Sequence, residues 1–385
     1  MHIPFHASPT SSLGVEWELQ LVDRQTRALT SGAAEILAEL SAAGGYIGEH
    51  PTAKAELLQS TIEVITGVCQ TVPEAMADLS GTVAQVSALA EARGLGLMCA
   101  GTHPSTDWQS QQISSDPRYD KLIENGQWLA RRLQIFGVHV HVGVRSPDKA
   151  IARVNALTAY IPHFLALSAS SPYWVGADTG LASARSKVFE GLPTAGLPQQ
   201  LTDWAQFEDY MDTLIRTDTI ASIKEVWWDV RPHPTYGTVE LRICDGLPTL
   251  AEVGMVAALS QCLVDCMDRQ IDKGYTLPTP RRWVVQENKW RAARYGLDAH
   301  IIVGQDGLQP VRDALRELVQ DMRPAADRLG CGDHLDTVEE VLETGGSYQR
   351  QRAVAAANGG DLSAVVDSLL GEFASGRPAP LAVAP

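Results

Sequence analysis

Three segments of the chain alternate apolar residues with residues able to bind metal or phosphate. In GVEWELQLVD, Val15, Trp17, Leu19 and Leu21 interleave with Glu16, Glu18 and Gln20. In GVHVHVGV, Val138, Val140, Val142 and Val144 interleave with His139 and His141. In TVELRICD, Val239, Leu241 and Ile243 interleave with Glu240 and Arg242. Successive side chains of a strand point to opposite faces, so each segment pairs an apolar face with a face of carboxylate, imidazole or guanidinium groups. Carboxylates suit the hard cations Mg2+ and Mn2+, whereas zinc favours cysteine or further histidine. For any one strand the alternative is a solvated outer face. Three strands carrying complementary groups point instead to a shared site.

A second acidic source is AELLQSTIEVITG, which holds Glu56 and Glu63. On one regular strand these two would face opposite ways, so a bulge or a turn near Glu56 is needed to bring them together. Glu63 is flanked by Ile62, Val64 and Ile65, where a lone charge is costly unless paired or metal-bound. Glu56 has a surface position as its alternative. Arg231 shares a face with Asp229 in VWWDVRPHP, Arg185 lies in GLASARSKVFEGLP, and Arg291 and Arg294 lie in ENKWRAARYG. Guanidinium forks match phosphate oxygens. Ordinary ion pairing is the alternative for each, and the preferred one for Arg294.

These groups must be positioned by the elements around them. Thr71 to Glu74 and Thr249 to Glu252 read as capping boxes that open helices, the second running to about Gln270. Helical spacing also covers Tyr119 to Phe136, Asp148 to Ser168 with a bend at Pro162, Val311 to Met322, Thr337 to Leu342 and Leu362 to Phe373. The segments expected as strands are 14–23, 57–66, 95–101, 137–144, 223–231 and 238–244. Their alternation fits an antiparallel sheet covered on one face, and their irregular mixing with helices makes the class α+β. No GxGxxG or phosphate-loop motif occurs.

Composition narrows the classes further. A net charge of −15 argues against a nucleic-acid partner, and no uninterrupted apolar run approaches the roughly 20 residues of a membrane span. The six cysteines form no CxxC pair, which fits buried thiols in a reducing cytoplasm. Residues 1–12 read as a flexible N-terminal tail, 13–375 as a single catalytic domain that is helical from about 300, and 376–385 as a flexible C-terminal tail.

The segments GVEWEL, ELLQSTIEVITG, GTHP, FGVHVHVGV, RSKVFEGLPTAGLP, DVRPHPTYGTVELRICD and ENKWRAARYGLDA, with GGSYQRQR near Gly346, together resemble the carboxylate–amine ligases related to glutamate–cysteine ligase type 2, in the glutamine synthetase superfamily. The resemblance implies a glutamine-synthetase-like fold, with a curved antiparallel sheet forming a funnel and helices packed on it. It implies ATP and Mg2+ (or Mn2+) as cofactors. The metal ligands carried over are Glu16, Glu18, Glu56, Glu63, His139 and Glu240. The catalytic arginines are Arg242, Arg231 and Arg185, and His141 and Arg291 are the nucleotide-contacting candidates. The reaction it implies is ATP-dependent amide-bond formation through an acyl phosphate, most simply glutamate plus cysteine giving γ-glutamylcysteine. Partners would be small-molecule amino acids or amines and a second copy in a homodimer. The alternatives are a metal-dependent amide hydrolase and a nucleotide-binding protein with little turnover. Residues two apart on a strand are separated by about 7 Å. This suggests that Glu16 shares one ion with His139 and Glu240, and Glu18 another with Glu63 and Glu56.

Because the implied ligands are mainly oxygens, activity is expected to vanish on chelation and to return with Mg2+. Recovery with zinc alone, and not with magnesium, would exclude the hard-cation assignment.

Overall fold

The structure, a computed structural model, describes residues 1–304 and 307–381. Its strands are β1 Leu13–Asp23, β2 Ala53–Ala55, β3 Thr61–Ile65, β4 Leu95–Met98, β5 Val138–Gly143, β6 Tyr173–Trp174, β7 Ala177–Asp178, β8 Val230–His233, β9 Thr238–Leu241, β10 His300–Val303 and β11 Gly307–Pro310. Seven of them form one open sheet in the order β2-β3-β1-β5-β9-β8. β1 pairs β3 along one edge; along the other it pairs β5 over its first half and β4 over its second. Every pairing in this sheet is antiparallel. β6–β7 and β10–β11 are separate two-stranded ribbons. The fold is α+β, as the mixing of strands and helices suggests.

Alternation fixes which face is covered. Val15, Trp17, Leu19, Leu21, Val138, Val140, Val142, Val239 and Leu241 are all buried in one apolar cluster. Helices Val72–Glu91 and Leu250–Asp272 pack on this side, and the Trp17 indole donates to the Leu247 carbonyl at 3.0 Å. Thr71 and Thr249 cap these two helices, each accepting from the backbone N–H three residues on, at 3.3 and 3.2 Å. The reciprocal half of the expected box is not made to the cap residue: Glu74 accepts instead from Gln70 N, one residue before the cap, at 2.7 Å. Glu252 does not complete the second box. Its carboxylate accepts from the Thr249 hydroxyl and from Arg350, at 2.7 and 2.9 Å.

Helix Leu250–Asp272 and the stretch Pro147–Ser168 are long and apolar enough to cross a membrane by length and composition, but 83% and 78% of those windows are buried inside the protein. Leu250–Asp272 is a core helix, covered further by helices Val311–Leu329 and Gly332–Thr344.

Several expectations are corrected. The segment 223–231 is a short 3-10 turn, Ile223–Glu225, and its strand begins only at Val230. Pro232 is tolerated there because β8 is an edge strand. The helix expected from Tyr119 runs over Pro117–Arg131, capped by Asp116, and breaks at Gln127, whose φ is 44°. Residues 1–12 are not a free tail. Ile3 is buried, its N–H donates to Glu208 at 2.7 Å, and His6 N donates to the Pro234 carbonyl at 2.9 Å on the β8–β9 turn. Of the second expected tail, 382–385 lie outside the described residues, while Ala379 N donates to Glu372 at 3.1 Å.

The C-terminal helices are tied to the core by a buried charge network. Arg350 donates to Glu372 at 2.7 and 3.1 Å, to Glu252 at 2.9 Å and to the Gly345 carbonyl at 2.6 Å. Both carboxylates are withdrawn from water. Removing the cation leaves two buried carboxylates without a counter-charge, which typically costs about 3–5 kcal/mol. Arg350→Met is therefore expected to lower unfolding free energy by that amount in urea titration. A loss below about 1 kcal/mol would mean the network is not what anchors these helices.

Candidate metal and phosphate site

Strand register turns the polar faces into rows. Gly14, His141, Glu240 and Arg231 stand opposite one another across β1, β5, β9 and β8. One step along, Ile65, Glu16 and His139 are aligned across β3, β1 and β5. In the next row Glu18 faces Glu63 directly, and Lys54 of β2 faces Glu63 from its other side. Cross-strand partners share a face, so Lys54, and Glu56 two residues further, fall on the face of Glu63. The chain reversal after β2 thus solves the parity problem of Glu56: residues 56–60 turn, and β3 starts only at Thr61.

Three clusters of metal-competent atoms result, each with ligand atoms within 4.8 Å of one another: Glu16, His141 and Glu240; Glu16, Glu63 and His139; Glu18, Glu56 and Glu63. Glu16 and Glu63 each belong to two. The grouping differs from expectation in the places of the two histidines and in a third cluster. His141, expected at the nucleotide, joins Glu16 and Glu240, while His139 joins Glu16 and Glu63. His139 Nδ1 lies 2.9 Å from Glu16 Oε2. His141 Nδ1 lies 3.0 Å from Thr238 Oγ1, and its buried Nε2 approaches Glu16 Oε1 at 3.2 Å without making a hydrogen bond.

The electrostatics divide the site in two. Burial works to raise the Glu240 carboxyl, but Arg231 and Arg242 outweigh it and hold it well below the usual range. Arg231 grips Glu240 with two bonds, at 2.7 and 3.2 Å, and Arg242 reaches the same carboxylate. Burial is likewise overcome at Glu16 by His141 and His139. At the other end the balance reverses. Burial and the Glu56 charge push Glu18 up to about 8. Burial raises Glu56, and burial with the charges of Glu16, Glu56 and Glu18 raises Glu63 further. Burial pushes His139 down to about 4, with Arg242 acting the same way.

Arg185 completes this end. Its charge opposes the upward shift of Glu18, and its guanidinium stands over Gly137, where an added Cβ would lie 2.4 Å away. Gly137 N donates to Glu18. Arg291 is not brought to the site: it binds Glu287 at 2.7 Å on its own helix and the His300 carbonyl at 3.1 Å. Arg294 donates to the Gly180 carbonyl. Two residues went unread in the sequence. Tyr119 OH reaches Glu56 Oε2 at 3.3 Å, and Arg118 lies over the Tyr119 ring at 4.5 Å. Only their place at the capped start of a helix could have pointed to them.

The donor set fits hard divalent cations. It consists of carboxylates with one imidazole in each of two clusters, and no cysteine. The cluster of Glu18, Glu56 and Glu63 gathers like charges with too little cationic charge to offset them, a condition a bound cation relieves.

The family model of glutamate-cysteine ligase family 2 matches residues 12–368. A protein of Frankia casuarinae provisionally named glutamate–cysteine ligase 2-1 is 64% identical over 381 residues, covering 98% of this chain and 99% of its own. A Thermobifida fusca protein with the corresponding provisional name is 57% identical, covering 98% and 95%. Among solved structures, glutamate–cysteine ligase from Francisella tularensis in complex with AMP superposes with a TM-score of 0.68 at 13% identity, over 96% of this chain and 90% of that one. The bifunctional glutathione synthetase of Pasteurella multocida gives 0.67 at 14% identity, over 94% of this chain but only 52% of that one.

In the metal-free protein, Glu18 keeps its proton up to about pH 8, whereas the unfolded chain loses it near 4.3. Its contribution to stability is thus complete below the unfolded value and is lost as pH rises towards 8. A cation binds the deprotonated form, so the rise in melting temperature produced by MgCl2 over EDTA is expected to grow from pH 6 to pH 8. A gap that shrinks over this interval would contradict the assignment.

Proposed function

The chain belongs to glutamate–cysteine ligase family 2, and on that premise we propose that it joins the γ-carboxylate of glutamate to the amine of cysteine at the expense of ATP, giving γ-glutamylcysteine through an acyl phosphate. A carboxylate resists amines because it is anionic and lacks a leaving group. Phosphorylation supplies the leaving group, and the amine then displaces phosphate. What this demands of a protein is positioning and charge neutralisation around a transferring phosphoryl group. No covalent protein nucleophile is needed.

The observation that carries the reading is the three linked clusters on one sheet face, two of carboxylates with an imidazole and one of carboxylates alone, with Arg185, Arg231 and Arg242 along their border. Glu16, His141 and Glu240, Glu16, Glu63 and His139, and Glu18, Glu56 and Glu63 would hold Mg2+ or Mn2+. Such cations supply charge neutralisation at phosphate oxygens. Arg185 and Arg242 present guanidinium forks to the moving phosphoryl group. Arg231 spans Glu240 and keeps it ionised. Use of a nucleotide is supported by the AMP held by the Francisella relative. A cytoplasmic setting, in which the free cysteines stay reduced, belongs to the same proposal.

The test is ADP release dependent on both glutamate and cysteine, with and without Mg2+. ADP release that neither amino acid stimulates would refute the ligase reading. Glu16→Gln and Glu18→Gln are expected to lower kcat about a thousandfold, since each bound cation is worth several kcal/mol in the transition state. The stability of Glu18→Gln should diverge from that of Glu240→Gln. Glu18 is protonated below about pH 8 in the metal-free protein, and glutamine likewise places a neutral group there, so the metal-free melting temperature holds or rises. Removing Glu240 leaves Arg231 and Arg242 without their partner, so it falls. A merely solvated face predicts near-normal activity in all three variants.

A further inference from the structure

We propose that Asp245, buried behind the site, is a positioning residue that fixes where the Arg185 guanidinium stands, acting through Ser171 and Ser183. The proposal rests on the charge-neutralising role given to Arg185 above.

Asp245 is fully buried, just beyond β9, where it bridges Gly137. Its Oδ1 accepts from the Ser183 hydroxyl at 2.8 Å. Its Oδ2 accepts from the Ser171 hydroxyl at 2.7 Å and from Ser170 N at 3.0 Å. Because both hydroxyls donate to the carboxylate, their lone pairs are left to accept. Ser171 Oγ accepts from Arg185 N at 3.0 Å. Ser183 Oγ accepts from Ser186 N at 3.3 Å and so caps the short helix Ala184–Phe189. One carboxylate therefore orients both groups that hold the backbone around Arg185.

The far end of Arg185 is held weakly. Its terminal nitrogens donate to the Ile243 and Arg242 carbonyls, both at 3.4 Å, and its buried Nε has no partner. Its aim is thus set at the root of the side chain. The lodging is tight: a Cβ on Gly101 would lie 2.7 Å from the Asp245 carboxylate. An aspartate-to-asparagine change keeps the volume but puts a donor where an acceptor stood. One serine hydroxyl must then accept from the new amide and turn its own proton away, so that proton loses its acceptor and the hydroxyl that holds the backbone N–H loses its fixed orientation.

The test is a mutant cycle on single-turnover ADP formation, using Asp245→Asn, Ser171→Ala, Arg185→Ala and the doubles with Arg185→Ala. Arg185→Ala should lose about 10³-fold in rate, as a phosphoryl-transfer arginine does. Asp245→Asn and Ser171→Ala should each lose about 100-fold, the cost of a misplacement near 1 Å, with KM for ATP changed by less than about twofold. In the Arg185→Ala background either change should add less than about threefold, because the group it positions is gone. If Asp245→Asn does not fold, the Ser171→Ala cycle carries the same test. Full multiplication of the two losses, or wild-type rates in both Asp245→Asn and Ser171→Ala, would overturn the proposal. A wild-type rate in Arg185→Ala would remove the reading of Arg185 itself, and the positioning role with it.

Discussion

Carboxylates repel, and this site holds five of them together: Glu16, Glu18, Glu56, Glu63 and Glu240. Glu18 and Glu63 stand directly opposite on paired strands, an arrangement that is unfavourable by itself. The opposite face supplies what holds it. Val15, Trp17, Leu19, Val138 and Val140 are locked under two long helices. A slip of one residue in register would send every one of them to the polar side. The favourable burial behind the sheet therefore enforces the unfavourable assembly in front.

The protein offsets that repulsion unevenly. Around Glu240 and Glu16 it provides its own partners, the cations Arg231 and Arg242, His141, whose imidazole is shifted upward, and the hydrogen-bonding His139, and these carboxyls stay ionised. Around Glu18, Glu56 and Glu63 it provides less, and these carboxyls shift upward. One end of the site is electrostatically finished, and the other is complete only with positive charge from outside. Opposite shifts in neighbouring carboxyls mark a site built for charge traffic more clearly than does any single residue.

What could be read from the sequence follows from what alternation encodes. Period two identifies the face of Glu16, Glu18, His139, His141 and Glu240, because parity is a local property. It does not encode which strands are neighbours. The partnership of His139 with Glu16 was expected, but that of His141 with Glu240 emerged only from register. Glu56 needed a turn whose position no periodicity announces. Arg291 illustrates the opposite failure. Its residue type suits phosphate, but a helix face tied to Glu287 and His300 carries it elsewhere. Tyr119 and Arg118 reach the acidic cluster from a helix that is mostly exposed, where pattern carries little information. Capped helix starts at Thr71 and Thr249 were legible because caps are local chemistry.

The buried helix Leu250–Asp272 has a consequence for how the chain is made. Two of the elements that cover it, Val311–Leu329 and Gly332–Thr344, come later in the sequence. A ribosome that has just released Asp272 has therefore exposed the protein's most span-like segment before part of its shelter exists. Transiently uncovered apolar surface of this kind invites aggregation and chaperone engagement during synthesis. Chains that stop short of the last helices would carry the same exposed surface permanently, so the C-terminal helices act as an intramolecular cover for a core segment already synthesised.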